Sequence, residues 1–583
     1  MSAVLTAQEP SAKYLVNLQP PLVRHFDLIA QAPGGVARLR ELILTLAVQG
    51  KLVPQDTSDE PASELLKKIR ADKDRLIAEG KIKRDKPLAE IADEEKPFEL
   101  PQGWEWVRLG TLLDRISNGY SGGQSKSPTN FPLTRIETIS KSTVDFSRVG
   151  YCTDIQEPDI QKYKLEVGDI LLSHINSDLH LGKTALYKEN RLLIHGTNLL
   201  LLRSSAHVDS GFINLLINQL RLTGFFLAIA QHAIGQASIN QSKITSILGA
   251  LPPLAEQSRI VTRVEELMQL CDALEASGQL EAQQHAQLAG TLLGTLTQSE
   301  TPEALADNWQ RIATHFDVLL DRPEAVDAFE QTILQLAVRG LLVPQDPTDE
   351  PASVLLQKIR TEKDHLIAQG KIKRDKPLPP ITDEEKPFEL PQGWEWARFP
   401  ELGEFGRGKS KHRPRNDPAL FNPPIYPVVQ TGEVARAKGV IQAYHSKYSE
   451  IGLAQSRLWP AGTVCITIAA NIADAALLGF DACFPDSVVG FVPAQTLGNA
   501  KYFLAFMETA RNELIKFAPA TAQKNINLEI LGGLLIPVPP LSEICRIVTR
   551  VNELRTLCAD LRQRLISGQA TQARLADVLA ATH

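Results

Sequence analysis

Nowhere in the 583 residues does an unbroken apolar run approach the length needed to cross a bilayer, which argues against a helical membrane span. The opening stretch MSAVLTAQEPSAKYL lacks a basic segment followed by an apolar one. No secretory leader is therefore expected, and the expected location is cytoplasmic. Cysteine is scarce: the six residues Cys152, Cys271, Cys465, Cys483, Cys545 and Cys558 form no CxxC pair. They read as buried thiols in a reducing compartment, not as zinc ligands. No spaced cluster of histidine, cysteine and carboxylate points to a metal, and no glycine-rich loop points to a cofactor, so neither is expected. Positive charge is also short. Lysine and arginine number 62 against 68 acidic residues, a net charge of −6. That average does not mark a nucleic-acid binder, although a local basic patch can still track phosphate. The composition, 43% hydrophobic and 22% charged, suits a folded protein, and the length calls for several domains.

What the sequence does hold is a repeat. KIKRDKPL stands at Lys81–Leu88 and again at Lys371–Leu378, 290 positions on. From Leu46 to Trp106 and from Leu336 to Trp396, 48 of 61 positions are identical. A second paired block follows at a spacing of 287: LPPLAEQSRIVTRVEELMQLCDAL from Leu251 and VPPLSEICRIVTRVNELRTLCADL from Val538. Between the blocks, residues 107–250 and 397–537 are similar in length and share little sequence. Two echoes remain. GDILLS from Gly168 parallels GTVCIT from Gly462, and Gln236, Ile239 and Asn240 parallel Gln523, Ile526 and Asn527. Simple drift after duplication would not leave the frames so alike and the inserts so unlike. One scaffold presenting two recognition modules with different targets accounts for both.

The frames read as helices. Ile260, Val264, Leu267, Cys271 and Leu274 are spaced 4, 3, 4, 3, and so are Ile547, Val551, Leu554, Cys558 and Leu561, a coiled-coil seam in each copy. The two seams correspond under the repeat and are expected to pair with one another about a pseudo-twofold axis. Pro252-Pro253 and Pro539-Pro540 stand where helices begin. LRELILTLAV, FEQTILQLAV and the two segments from Pro61 to Gly80 and from Pro351 to Gly370 read as shorter amphipathic helices. The inserts read as mixed α/β, with strand-like GDILLSHI and GTVCITIAA and helix-like FINLLINQLRLTGFFLAIAQ and KYFLAFMETARNELIKF.

These blocks resemble type I restriction-modification specificity subunits. The resemblance rests on PQGWEW at Pro101 and Pro391, PPLAEQSRIVTRVEEL at Pro252, PPLSEICRIVTRVNEL at Pro539, GKSKHRPRNDP from Gly408 and QSRLWPAGTVCITIAANIAD from Gln455. It implies a non-catalytic subunit in which each of two target-recognition domains reads one half of a split site on double-stranded DNA. It also implies helices that set the spacing and dock two methyltransferase (modification) subunits acting on adenine N6, together with ATP-dependent restriction subunits. The expected fold class is α+β: two mixed α/β target-recognition domains separated and braced by long shared helices in an antiparallel coiled coil, with an internal pseudo-twofold repeat. The expected divisions are an N-terminal helical region 1–99, a first recognition domain 100–253, a helical spacer 254–390, a second recognition domain 391–540 and a distal helix 541–583. The roughly 100 residues before the first domain depart from shorter members of the family.

Two motifs invite a catalytic reading. GEFGRGKS, from Gly403, matches the GxxxxGK[ST] phosphate loop, but that loop works only where a helix follows and offers its amides. Here HRPRNDP follows, with prolines at 414 and 418, so no helix is expected. Asn422-Pro423-Pro424-Ile425 resembles the NPP(Y/F) motif of adenine methyltransferases, with isoleucine where an aromatic is needed; it reads as a turn. The alternative function, a single-chain methyltransferase or nuclease with its own recognition domains, would need a cofactor loop or carboxylate cluster. A purely structural coiled-coil adaptor would show no salt-dependent binding to duplex DNA.

The candidate DNA-binding residues follow from the basic run in the second insert: Arg407, Lys409, Lys411, His412, Arg413 and Arg415, joined by Gln430, Gln455 and Arg457. Arginine and lysine pair with guanine edges or phosphates, and glutamine or asparagine with adenine. In the first insert the candidates are Asn118, Tyr120, Gln124, Lys126, Arg135, His174, Asn176 and Lys183.

Overall fold

Both copies of the repeated block fold the same way in the computed structural model. It describes residues 20–84, 87–140, 142–233, 236–299, 301–374, 377–411, 414–437, 439–469, 472–517 and 526–581. The frame helices are α1 (Pro20–Gln31), α2 (Gly35–Val48), α3 (Ala62–Ala78), α4 (Leu254–Thr297), α5 (Pro323–Val338), α6 (Ala352–Ala368) and α7 (Leu541–Ala581). α2 and α5 end identically. Gly50 and Gly340 each take φ 71°, and the next amide, of Lys51 or Leu341, bonds back to Leu46 O or Leu336 O at 2.9 Å. A Cβ at either glycine would stand 2.5 Å from Pro101 or 2.6 Å from Pro391, so the left-handed turn and the close approach both require glycine.

The two distant blocks of each frame are joined around a buried carboxylate. Trp104 Nε1–H donates to Glu256 Oε2 and Trp394 Nε1–H to Glu543 Oε2, both at 3.0 Å. Gln55 and Gln345 donate to the other oxygens, at 3.1 and 2.8 Å. Arg259 pairs with Asp59 and Arg546 with Asp349, at 2.6 and 2.7 Å. Beside each lock the strand Glu105–Arg108 runs antiparallel to Leu248–Leu251, and Glu395–Arg398 to Leu535–Val538. Each insert thus leaves and re-enters its frame on one two-stranded ladder.

The chain divides into two units, Met1–Leu280 with Gly568–His583, and Glu281–Ser567. In the first, the seam Ile260, Val264, Leu267, Cys271 and Leu274 packs on Phe26 and Ile29 of α1, Leu39, Ile43 and Leu46 of α2, and Ala576 and Leu579 from the end of α7. In the second, Ile547, Val551, Leu554, Cys558 and Leu561 pack with Val326, Phe329 and Ile333 of α5 and with Ala289, Leu293 and Leu296 from the end of α4. The expected pairing of one seam with the other is therefore corrected. Each seam packs on the short helix of its own frame and on the tail of the other long helix. The 4, 3 spacing marks an apolar stripe without naming its partner, and α2 and α5 offer stripes of matching width.

The inserts share a sheet that their sequences conceal. In the first unit the antiparallel strand order is Leu113–Asn118, Leu200–Ser204, Ile170–Leu172, Thr184–Leu186. In the second it is Gly403–Arg407, Val488–Pro493, Val464–Thr467, Ala475–Leu478, with Val440–Ile441 added in parallel at the edge. The echo GDILLS/GTVCIT supplies the corresponding inner strand. What differs lies outside this sheet: a four-stranded sheet in the second unit, and small two- and three-stranded ladders in the first.

Among the described residues no helix is long and apolar enough to cross a membrane. Five cysteines are buried as expected; Cys545 is exposed. Burial in the seams pushes the thiols of Cys271 and Cys558 up to about 11, which keeps them protonated and unreactive.

Candidate nucleic-acid interface

In the second unit the basic run leaves the sheet at the end of the strand Gly403–Arg407. A Cβ on Gly408 would lie 2.3 Å from the carbonyls of Phe484 and Pro485, so glycine lets the loop cross that turn. Lys409 N bonds to Phe484 O at 3.2 Å, and Arg407 Nε–H donates to Asp486 O at 2.8 Å. Arg415 reaches the Asp486 carboxylate at 3.1 Å. From the other side Gln455 Oε1 accepts from Lys411 N at 2.7 Å, and Ser456 Oγ donates to Lys409 O at 3.0 Å. Arg407, Lys409, Lys411, Arg415 and Gln455 are thus gathered on one exposed loop cluster. His412 and Arg413 lie outside the described residues. Gln430 stands apart from this cluster, capping the helix Thr431–Arg436 through its backbone N–H and keeping an exposed side chain.

Arg457 is a correction. Both its terminal nitrogens donate to Glu404, each at 2.5 Å, and its guanidinium lies 4.0 Å from the Trp459 ring centre. A guanidinium forked onto a carboxylate and stacked on tryptophan braces the loop base and is not offered to a base pair. The phosphate-loop resemblance also fails. Gly403–Arg407 spends its backbone on pairing with Val489–Pro493, and no helix begins in the described residues that follow to Asn416.

In the first unit the candidates fall into two groups. Asn118 ends the strand Leu113–Asn118 and is exposed; Gln124 pairs with Cys152, Lys126 is exposed, and Arg135 lies along Gly150 with its Nε 3.1 Å from Glu137. Tyr120 belongs to this group by sequence, but its ring is buried against Tyr163, Leu133 and Cys152. The second group is the hairpin at 173–183. Asn176 pairs with Ala237 and donates to Ser173 Oγ at 3.1 Å, and Lys183 follows the tight turn at Gly182. His174 lies under this hairpin, 6% exposed, and burial lowers its pKa. Tyr120 and His174 are corrected to largely buried residues, 8% and 6% exposed, whose rings pack inward.

Sequence reasoning missed several polar residues. His195 is fully buried; its Nε2 lies 3.0 Å from Leu199 O, and burial draws its pKa down to about 4. Its carbonyl accepts from Tyr120 N at 2.7 Å, so it fixes the start of the Gln124 ladder from within. Arg203 holds buried Asp169 through Nε and Nη2, at 2.7 and 2.8 Å. Neither sits in a repeated block, so nothing in the sequence singles them out. Asn240 and Asn527 play one matching role, capping short helices by accepting from Lys243 N and Ile530 N, both at 2.8 Å. Gln523 lies outside the described residues. Among the described residues no group of histidines, cysteines and carboxylates could hold a metal.

Comparison with known proteins adds a family. The family model for the type I restriction modification DNA specificity domain matches residues 391–567. The chain is 36% identical over 578 residues to the type I restriction enzyme EcoAI specificity subunit of Escherichia coli, covering 94% of this chain and 93% of that one. It is 35% identical over 566 residues to the EcoEI specificity subunit of Escherichia coli, with the same coverage. A chain solved in a study of complex assembly and conformational transition of the type I R-M system aligns at a TM-score of 0.50 and 17% identity, over 83% of this chain and 98% of that one.

Proposed function

The chain belongs to the specificity subunits of type I restriction enzymes, and on that ground we propose that its two inserts each read one half of a bipartite DNA site. As such a subunit it supplies DNA sequence specificity and leaves the chemistry to the modification and restriction subunits that complete the enzyme. The proposed recognition domains are residues 100–253 and 391–540. The helical regions 1–99, 254–390 and 541–583 set the distance between half-sites and dock two adenine-N6 methyltransferase subunits and the ATP-dependent restriction subunits. The proposed setting is the cytoplasm.

One observation carries this reading. The same Trp–Glu lock and the same ladder hold two inserts that share a sheet but carry different polar loops. A scaffold duplicated to this accuracy around unlike loops serves presentation of two different surfaces. The basic cluster at Arg407–Arg415 supplies phosphate and guanine contacts in one, and the Asn118–Lys126 and 173–183 segments supply them in the other.

The test is reconstitution. The purified chain alone transfers no methyl group and hydrolyses no ATP. With its modification subunits it directs methylation to one interrupted sequence. Methylation by the chain alone would return it to the single-chain enzyme class.

A further inference from the structure

In both inserts one end of the shared sheet gathers the candidate loops. In the first unit Asn118 pairs with Leu200, Leu200 with Leu172, and Leu172 with Thr184. The chain running on from Asn118 to Gln124 and Lys126 therefore leaves the sheet at the same end as the hairpin 173–183. In the second unit Arg407 pairs with Val489, Val489 with Ile466, and Ile466 with Ala475, so the basic loop and the connection 468–474 also share an end. The two connections correspond. Ile239 N bonds to His174 O at 2.8 Å and Ile526 N to Ile468 O at 3.0 Å, and the two isoleucines are a repeated pair. The first connection is four residues longer than the second.

The longer connection carries an apolar side chain outward. In the shorter one Ile468, Ile472 and Ala473 are buried. In the longer one Leu181 is 2% exposed, whereas Leu179 is 77% exposed, the highest value of any large hydrophobic residue among the described residues. The backbone around it is held. His180 N and Leu181 N bond to Ser177 O at 2.9 and 3.1 Å, Ser177 N to Asn176 Oδ1 at 2.8 Å, and Gly182 N to Ser173 O at 2.8 Å. A single exposed leucine is ordinary on a protein surface. Leu179 differs by its setting: a hydrogen-bonded turn, at the sheet end shared with the candidate polar loops, in a connection that is shorter in the second insert.

We infer that Leu179 contacts the 5-methyl group of a thymine in the half-site read by the first insert. The inference rests on the DNA reading above and deepens it by naming one apolar base contact. The thymine methyl is the apolar mark that bases present in the major groove, and an aliphatic side chain recognises it by removing both surfaces from water. Among the four bases only thymine offers it, so the contact selects one base where a phosphate contact selects none. The shorter connection of the second insert keeps its isoleucines inside, so this contact belongs to one half-site alone.

The test maps methylation by the full-length chain assembled with its modification subunits. The first insert's half-site is the one retained when residues 397–537 are exchanged. It holds a thymine that the parent requires and that Leu179→Ala makes dispensable, with the other half-site and the gap unchanged. Leu179→Met keeps an apolar body and keeps the requirement. Uracil in place of that thymine removes the methyl alone. It weakens binding of the parent assembly, read by fluorescence anisotropy, by about fourfold, the worth of one buried carbon, and leaves binding of the Leu179→Ala assembly unchanged. Unaltered base choice in Leu179→Ala overturns the contact. Weaker binding by Leu179→Ala with a parent indifferent to uracil also overturns it, in favour of a side chain wedged between base pairs. Impaired assembly with the modification subunits at unaltered base choice overturns it in favour of a protein contact. A parent assembly that methylates no interrupted sequence would contradict the DNA reading itself.

Discussion

Arg40 donates to Glu275 at 2.8 Å in the first unit, and at the two matching positions of the second unit the charges are exchanged, with Arg562 donating to Glu330 at 2.7 Å. Arg40 also meets Asp272 at 2.6 Å, and Arg562 meets Asp327 at 2.6 Å. Two nearly duplicate helix interfaces, α2 on α4 and α5 on α7, thus carry opposite polarity. Laid on the wrong partner, α2 would set Arg40 against Arg562, and α5 would set Glu330 against Glu275. Duplicated frames invite such crossing, and a like-charge contact discriminates against it.

The bridge is partly exposed, so its strength is modest. Arg40→Glu, which faces Glu275 and Asp272, lowers unfolding free energy by about 1 kcal/mol, and adding Glu275→Arg recovers most of it. A denaturant double-mutant cycle reads the coupling. Strict additivity of the two changes would mean that the pair does not hold the helices.

The buried lock matters more per bond. Trp104→Phe leaves the Glu256 carboxylate without its indole donor, and Trp394→Phe does so for Glu543. Each lowers stability by about 2 kcal/mol, since a hydrogen bond to a buried charge is lost. Because the geometry is duplicated, the two losses match. A negligible effect in urea unfolding of both variants would show that the lock closes the ladders without stabilising them.

Much of this frame was legible in the sequence and little of the site was. The repeat, the helices and the stripes at Ile260 and Ile547 follow from spacing, which depends only on helix geometry. The lock was within reach, because PQGWEW and PPLxE recur together and Trp104 and Glu256 recur with them. The shared sheet was not, since Ile170–Leu172 and Val464–Thr467 need only apolar side chains at each position to occupy one place. Tyr120 and His174 illustrate the remaining limit. Both sit among turn residues, where no period tells which side chains point inward. Arg457 is similar: its sequence neighbours are polar, but Glu404, which claims it, is 53 positions away.

His195 gives a pH signature. Its pKa is about 4 in the fold and about 6.5 in the unfolded chain. Between those values the unfolded chain binds more protons, so stability rises with pH. The contribution is fully present above about 6.5 and is lost as pH falls toward 4. Buried His174, shifted in the same direction, adds to the slope. His195→Gln flattens the dependence of the urea midpoint across this window; equal slopes for parent and variant would place the acid sensitivity elsewhere.

On the proposed reading the basic cluster divides, with Arg415 serving DNA and Arg457 bracing the fold through Glu404. Arg415→Ala weakens duplex binding by about 1–3 kcal/mol if it pairs with a guanine, with relaxed choice at one base, and leaves the melting temperature unchanged. Arg457→Ala does the reverse in part: it strands Glu404, lowers the melting temperature and loosens the whole loop. Paired anisotropy and thermal-melt measurements distinguish them. A melting loss for Arg415→Ala without a binding loss would return the loop to a structural role.

The division of labour between the two inserts is tested most directly by exchange. Residues 397–537 are replaced by the corresponding insert of another specificity subunit, within the intact frame that Trp394 and Glu543 close. The hybrid is assembled with its modification subunits, and the methylated sequence is mapped. The expected result is a new half-site on one side of the gap, with the other half-site and its distance unchanged. A change in both halves, or in neither, would contradict the reading of one insert for each half.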